Sequence, residues 1–213
     1  NVAVGSYLDP LDYEGLAHFV EHLLFMGSDL FPEENEFDNH LNKYSGNSNA
    51  FTEDLNTNFY FDVDNTGFKQ ALNIFSRFFI NPSLREDCIK RELEAVDSEY
   101  NDNKDDDTWR SSQVQKSELN KQSFESLFTM GNSKTLLKDG LIHKVRKFFK
   151  LFYSPKKYNL VIISKIDYEE MIQIVREIFK EILNENTESI DELVLEKEIR
   201  EFYDVRVIDG IQI

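Results

Sequence analysis

Between Gly15 and Gly27 runs Gly-Leu-Ala-His-Phe-Val-Glu-His-Leu-Leu-Phe-Met-Gly, whose periodicity calls for a helix with one face in a core. At about 100° per residue, Leu16, Phe19, Val20, Leu23 and Leu24 share one broad arc. His18, Glu21, His22 and Phe25 share the opposite arc. The pattern predicts a helix from about Tyr13 to Met26, stopped by Gly27 in the position that glycine favours just past a helix end. Two imidazoles one turn apart on one face can close on a single metal ion, and Glu21 projects between them. Zinc hydrolysis needs this set: neutral nitrogen ligands at about 2.0–2.1 Å and a carboxylate able to take a proton from water. A lone histidine on a helix is more often an ordinary surface or packed residue. The chain has 4 histidines in all, however, so two at this spacing around a glutamate carry weight.

Two imidazoles leave a zinc site one protein ligand short. A second amphipathic stretch, Cys88 to Tyr100, offers candidates. With Glu92 as the origin of the wheel, Cys88, Ile89, Ala95, Val96 and Glu99 share its face, and Lys90, Arg91, Glu94, Asp97 and Ser98 lie on the other. A carboxylate on an apolar face is costly unless it is paired, so Glu92 and Glu99 call for a metal or a base. Glu94 and Asp97 read as solvated charge.

The remaining chain alternates between the two periodicities. A strand over Val2–Leu8 ends at Asp9-Pro10, and a helix over Glu33–Lys43 precedes strands Asn47–Thr52 and Asn56–Asp64. The second of these sets Phe59, Phe61 and Val63 on one face. Helix Gly67–Ile80 carries Phe68, Ala71, Leu72, Phe75, Phe78 and Phe79 at helical spacing. Helices Ser83–Asn103, Thr108–Leu119 and Leu141–Tyr153 follow, then a buried-looking strand Tyr158–Ile166 and helix Tyr168–Leu183. Its apolar side holds Met171, Ile172, Val175, Ile178 and Phe179. An acidic link, Asn184–Glu198, leads to a last strand near Phe202–Ile208. This order predicts an α+β fold of the split β-α-β type, one mixed sheet with helices mainly on one face, with 1–213 as a single domain. The 18 phenylalanines predict an aromatic core.

Charge and cysteine content narrow the function. With Lys+Arg 24 against Asp+Glu 40, the net charge of −16 disfavours a nucleic-acid partner, whose phosphates need basic residues. Such a field favours cationic partners or simply keeps the chain in solution. Cys88 is the single cysteine, which rules out an internal disulfide and a cysteine zinc cluster and is compatible with a reducing, cytoplasm-like compartment. No apolar run has the length of a membrane span; the longest, Leu160–Ile163, is strand-sized. No targeting segment is visible at the start, although the first strand reads as clipped.

Taken together, His18-Phe19-Val20-Glu21-His22, with Glu99 after 76 intervening residues, resembles the inverted zinc signature of the pitrilysin family of metallopeptidases. Asn47-Ser48-Asn49-Ala50-Phe51-Thr52, Phe59-Tyr60-Phe61-Asp62-Val63 and Ala95-Val96-Asp97-Ser98-Glu99 resemble its insulin-degrading branch. The resemblance implies one zinc ion held by His18, His22 and Glu99, Glu21 as general base, and Glu92 as a supporting acid. It implies Asn49, Ala50 and Phe51 on an edge strand that holds peptide substrates by β-augmentation. It also implies that this is the first of four related domains that enclose a chamber, so that the piece alone binds zinc and cleaves weakly or not at all. Two other readings stay open at this point: a non-catalytic scaffold or core subunit, and a metal-free peptide-binding module using the edge near Phe51. Trp109 reads as a packing anchor with substrate contact open, Cys88 as a core residue, and His40 and His143 as surface residues.

Overall fold

The computed structural model describes residues 1–120 and 123–185. Its helices are α1 (Leu16–Leu24), α2 (Glu36–Lys43), α3 (Asn65–Ile80), α4 (Glu86–Asn103), α5 (Asp107–Glu118), α6 (Ser133–Leu136), α7 (Leu141–Phe152) and α8 (Tyr168–Glu185), and its strands are β1 (Asn47–Thr52) and β2 (Thr57–Asp62). The strands pair antiparallel, with Asn47 opposite Asp62 and Thr52 opposite Thr57. β2 turns Thr57, Phe59 and Phe61 inward and leaves Tyr60 and Asp62 in water, the alternation of a strand with one face on a core.

The phenylalanines meet on that inner face. Phe61 packs against Phe37 of α2 and Phe75 of α3, and Phe59 against Phe79, with ring centroids 5.6, 5.1 and 5.3 Å apart. Phe78 reaches Phe25, just past α1, at 5.0 Å. Edge-on ring pairs of this kind contribute about 0.5–1.5 kcal/mol each beyond the area they bury.

α1 runs through the centre, with Leu16, Ala17, Phe19, Val20, Leu23 and Leu24 all at 0 % exposure. It begins at Leu16 rather than Tyr13 because Gly15 takes a left-handed φ of 87°, which no helical residue adopts. The buried Asp9 then caps the helix from outside: its carboxylate accepts the N–H of Gly15 at 2.8 Å and of Ala17 at 2.7 Å. A negative group at the positive end of a helix is favourable. α8 lies against α3, where the buried Arg77 donates to Asp29 and to Glu181, tying the turn after α1 to both helices.

The α+β class holds, as helices around a small sheet. A mixed sheet is not seen among the described residues. The segment Val2–Leu8 is not a strand: Val2 makes isolated bridges to Thr57 and Tyr158, and Ser6–Leu8 is a 3-10 turn. At Gly5 the β1–β2 loop comes so close that a Cβ would stand 2.4 Å from the Glu53 carbonyl oxygen. Ser6 and Tyr7 donate to the Glu53 and Asp54 carbonyls, each at 2.9 Å, so the chain wraps the loop instead of running along β2. The expected strand Tyr158–Ile166 is extended chain without a ladder; Val161 and Ile163 are 82 % and 97 % exposed. β-Branched residues favour a pleated surface, but a strand also needs a neighbour, and beyond Asn159 no described strand pairs with this segment. The expected strand Phe202–Ile208 and most of the acidic link lie outside the described residues.

Candidate metal centre

α1 and α4 pack face to face and bring His18, His22 and Glu99 together. The Nε2 atoms of His18 and His22 stand 3.3 Å apart, and Glu99 Oε2 lies 3.4 Å from the first and 3.6 Å from the second. For ligand bonds of about 2.0–2.1 Å, a tetrahedral zinc site spaces its ligand atoms by about 3.3 Å. The triangle therefore has the size the metal requires.

The tautomers point the same way. His18 Nδ1 is 2.7 Å from the Met130 carbonyl, which can only accept, so Nδ1 carries the hydrogen and Nε2 is bare. His22 Nδ1 lies 3.3 Å from Glu92 Oε2, so in its neutral form the hydrogen sits on Nδ1 and Nε2 is the nitrogen left to bind. With both imidazoles neutral, two lone pairs and a carboxylate oxygen face one point, an arrangement relieved by a metal ion or by a proton on His22. Metal-bound histidines characteristically use their second nitrogen in this way, with a carboxylate or a backbone carbonyl as partner. The demand for positive charge is visible in His22 itself. Burial opposes its protonation, yet Glu92 and Glu99 raise its pKa to about 9. The hydrogen bond from His22 holds Glu99 below the ordinary carboxylate range despite partial burial.

Met130 reaches His18 through a backbone contact that side chains would forbid. A Cβ on Gly15 would stand 2.2 Å from Gly131 Cα, and both glycines have positive φ. The segment after Gly131 is clamped to both helices: Thr135 donates to the Glu14 carbonyl at 2.8 Å, and Asp97 accepts the Ser133 N–H at 2.7 Å. Asp97 is accordingly no solvated surface charge; it holds α6 on α4.

Glu21 is buried at 7 % exposure beside the two histidines. Burial raises its pKa, and this outweighs the Thr52 hydrogen bond and the neighbouring histidines, which lower it. Its Oε2 accepts from the Thr52 hydroxyl at 2.5 Å. Glu92 and Glu99 sit at the border of the buried arc of α4, with side chains 15 % and 42 % exposed. The arc consists of Cys88, Ile89, Leu93 and Val96, while Ala95 is exposed, so the helix is rotated from the expected setting. That rotation opens Glu99 toward solvent.

The centre lies in a cleft of about 620 Å³. Asn49, Ala50 and Phe51 of β1 line one wall, and Trp109, Thr129 and Met130 another. Among the described residues β1 pairs only with β2, and the Ala50 N–H is met by the side chain of Asn49 at 2.9 Å. Glu21, Asp38, Glu92 and Glu99 are its charged walls, with no lysine or arginine among the lining residues. Trp109 is 48 % exposed in α5, a helix without a buried residue, and so is no packing anchor. Sequence reading missed Thr52 and Met130. The first adjoins the Asn-Ala-Phe run and could have been included; the second acts through its carbonyl, which leaves no side-chain signature.

Other titratable residues lie apart from the centre. Glu34, Asp87 and Cys88 cluster, but Arg85 and Arg91 both donate to Glu34, making an ion-pair group. Cys88 is buried as expected, and burial raises its pKa. His143 is exposed as expected, whereas His40 is half-buried, with Nε2 2.9 Å from the Gly67 carbonyl. No helix among the described residues is long and apolar enough to cross a membrane.

Residues 1–122, more than half of the chain, match the family described as insulinase, peptidase family M16. The chain is 37 % identical over 186 residues to an insulin-degrading enzyme homolog of Dictyostelium discoideum, covering 87 % of this chain and 19 % of that protein. It is 39 % identical over 194 residues to the A-factor-processing enzyme of Saccharomyces cerevisiae, covering 88 % and 19 %. Among solved structures it is similar to pitrilysin, with a TM-score of 0.81 and 30 % identity over 85 % of this chain and 20 % of that one. The chain thus spans about a fifth of the length of these relatives.

Proposed function

The chain belongs to the insulinase family of peptidases (M16), and from that premise we propose that it is the zinc-bearing catalytic domain of an endopeptidase. The observation that carries this reading is the triangle of His18 Nε2, His22 Nε2 and Glu99 Oε2, with sides of 3.3, 3.4 and 3.6 Å and Glu21 beside it. These three residues hold the metal. Bound zinc supplies Lewis acidity toward a peptide carbonyl and makes water easier to deprotonate.

The chain's own residues do the rest. The free edge of β1 at Asn49, Ala50 and Phe51 takes an extended peptide as an added strand, so that backbone hydrogen bonds set its register. Glu21 accepts a proton from water as oxygen adds to the carbonyl carbon. It returns that proton to the amine nitrogen as the C–N bond breaks, which leaves a free amine and a carboxylic acid that then ionises. Glu92 fixes the tautomer and orientation of His22. With Glu99 given over to the metal, Glu21, Asp38 and Glu92 keep the cleft walls acidic, which favours peptides that carry basic side chains. The remaining domains of the longer enzyme close the chamber, and this one by itself cleaves weakly.

Glu21→Gln in the zinc-loaded protein tests the assignment. It should keep one zinc per chain and lower peptide cleavage by about 10²–10⁴-fold, the range for a lost general base. Loss of zinc in parallel with cleavage would make Glu21 a structural residue instead.

A further inference from the structure

Glu21 commits one oxygen and keeps the other. Its Oε2 takes the Thr52 hydroxyl at 2.5 Å, and its side chain makes no other hydrogen bond among the described residues. That leaves Oε1 free on the cleft side. Thr52 Oγ1 is also 3.1 Å from the hydroxyl of Thr57, its cross-strand partner. Thr57 is fully buried and donates to the Val4 carbonyl at 2.8 Å. The Thr57 hydroxyl proton is thereby committed inward, and the Thr52 proton is the one that reaches Glu21. A chain of Glu21, Thr52, Thr57 and Val4 anchors the carboxylate to both strands and to the N-terminal segment.

Thr52 donates to Glu21 and stands against Thr57, so the carboxylate is held from the end of β1 as well as from its own helix. Thr52 also closes β1, the strand whose edge lines the cleft. We propose that Thr52 is the positioning residue of the general base, coupling Glu21 to the strand that grips the peptide. This rests on the peptidase reading above and adds a residue to it.

A merely structural Thr52–Thr57 pair would steady the hairpin and do nothing for Glu21. Two probes separate the roles: a labelled basic peptide ending in a hydroxamate, whose hydroxyl needs the Glu21 carboxylate as acceptor, and the same peptide ending in a carboxamide. Binding to the zinc-loaded chain is read by fluorescence anisotropy, and zinc content by elemental analysis. Thr52→Val should keep one zinc per chain, weaken the hydroxamate about tenfold, as expected for a lost charged hydrogen bond, and leave the carboxamide within about twofold. Thr52→Ser, which keeps the hydroxyl, should bind both probes like the wild type. Unchanged hydroxamate affinity in Thr52→Val, equal losses for both probes, or failure of Thr52→Ser to restore binding would each overturn the assignment. A wild type that prefers neither probe would instead contradict the peptidase reading, and this inference with it.

Discussion

Removing the carboxylate of Glu92 should weaken zinc binding without abolishing it. Glu92 reaches the centre only through His22, with Oε2 3.3 Å from Nδ1 and the side chain 15 % exposed. Loss of such an outer partner typically costs about 10–100-fold in metal affinity, or about 1.4–2.7 kcal/mol. Two features set the position within that range. A separation of 3.3 Å is long for a charged hydrogen bond, so Glu92 grips His22 loosely. The other imidazole, His18, is held independently by the Met130 carbonyl at 2.7 Å. Glu92→Gln keeps an oxygen acceptor and loses the charge, and should cost about tenfold. Glu92→Ala loses both and should cost more, about thirtyfold. Competition against a chromophoric zinc chelator at fixed pH gives the affinities. Wild-type affinity in both variants would refute the supporting role, and a loss as complete as in His22→Ala would make Glu92 a ligand.

Two further perturbations test the frame around the centre. Gly15→Ala combines a strained positive φ with a Cβ 2.2 Å from Gly131 Cα; it should lower the melting temperature and weaken zinc binding together by pushing Met130 off His18, and normal zinc affinity in a folded variant would break that link. At Asp29 burial would raise the pKa, but hydrogen bonds, above all from Arg77, lower it. The stability it gives is therefore complete above the unfolded value of about 3.9 and is lost as pH falls through the lower folded value. Asp29→Asn should flatten the acid limb of a denaturation curve below about pH 4, and limbs of equal slope would contradict the pairing.

How much could be read in advance depended on whether a signal was local. His18, Glu21 and His22 lie on one helix face, so spacing alone joined them. Glu99 was reachable because a second amphipathic helix set a carboxylate near its apolar face, and the observed rotation of α4 moved Ala95 outward while keeping Glu99 at the rim. The hairpin followed from strand alternation and a short polar connection. The signals failed where structure depends on distant backbone. Nothing in Val161 or Ile163 says whether a neighbouring strand lies alongside, and both are exposed. The Met130 carbonyl and the glycine contact that delivers it have no side-chain pattern to read. Asp97 looked solvated because its partner, the Ser133 N–H, is a backbone donor 36 residues away.

The central claim, that α1 and α4 build one zinc site between them, is tested most directly by the metal content of the purified chain. Elemental analysis of the wild type, His18→Ala and Glu99→Ala after zinc loading and dialysis should give about one zinc per wild-type chain and far less in both variants, because a tetrahedral site cannot spare one of three protein ligands. A wild type that retains no zinc, or a variant of either helix that retains it fully, would contradict the account.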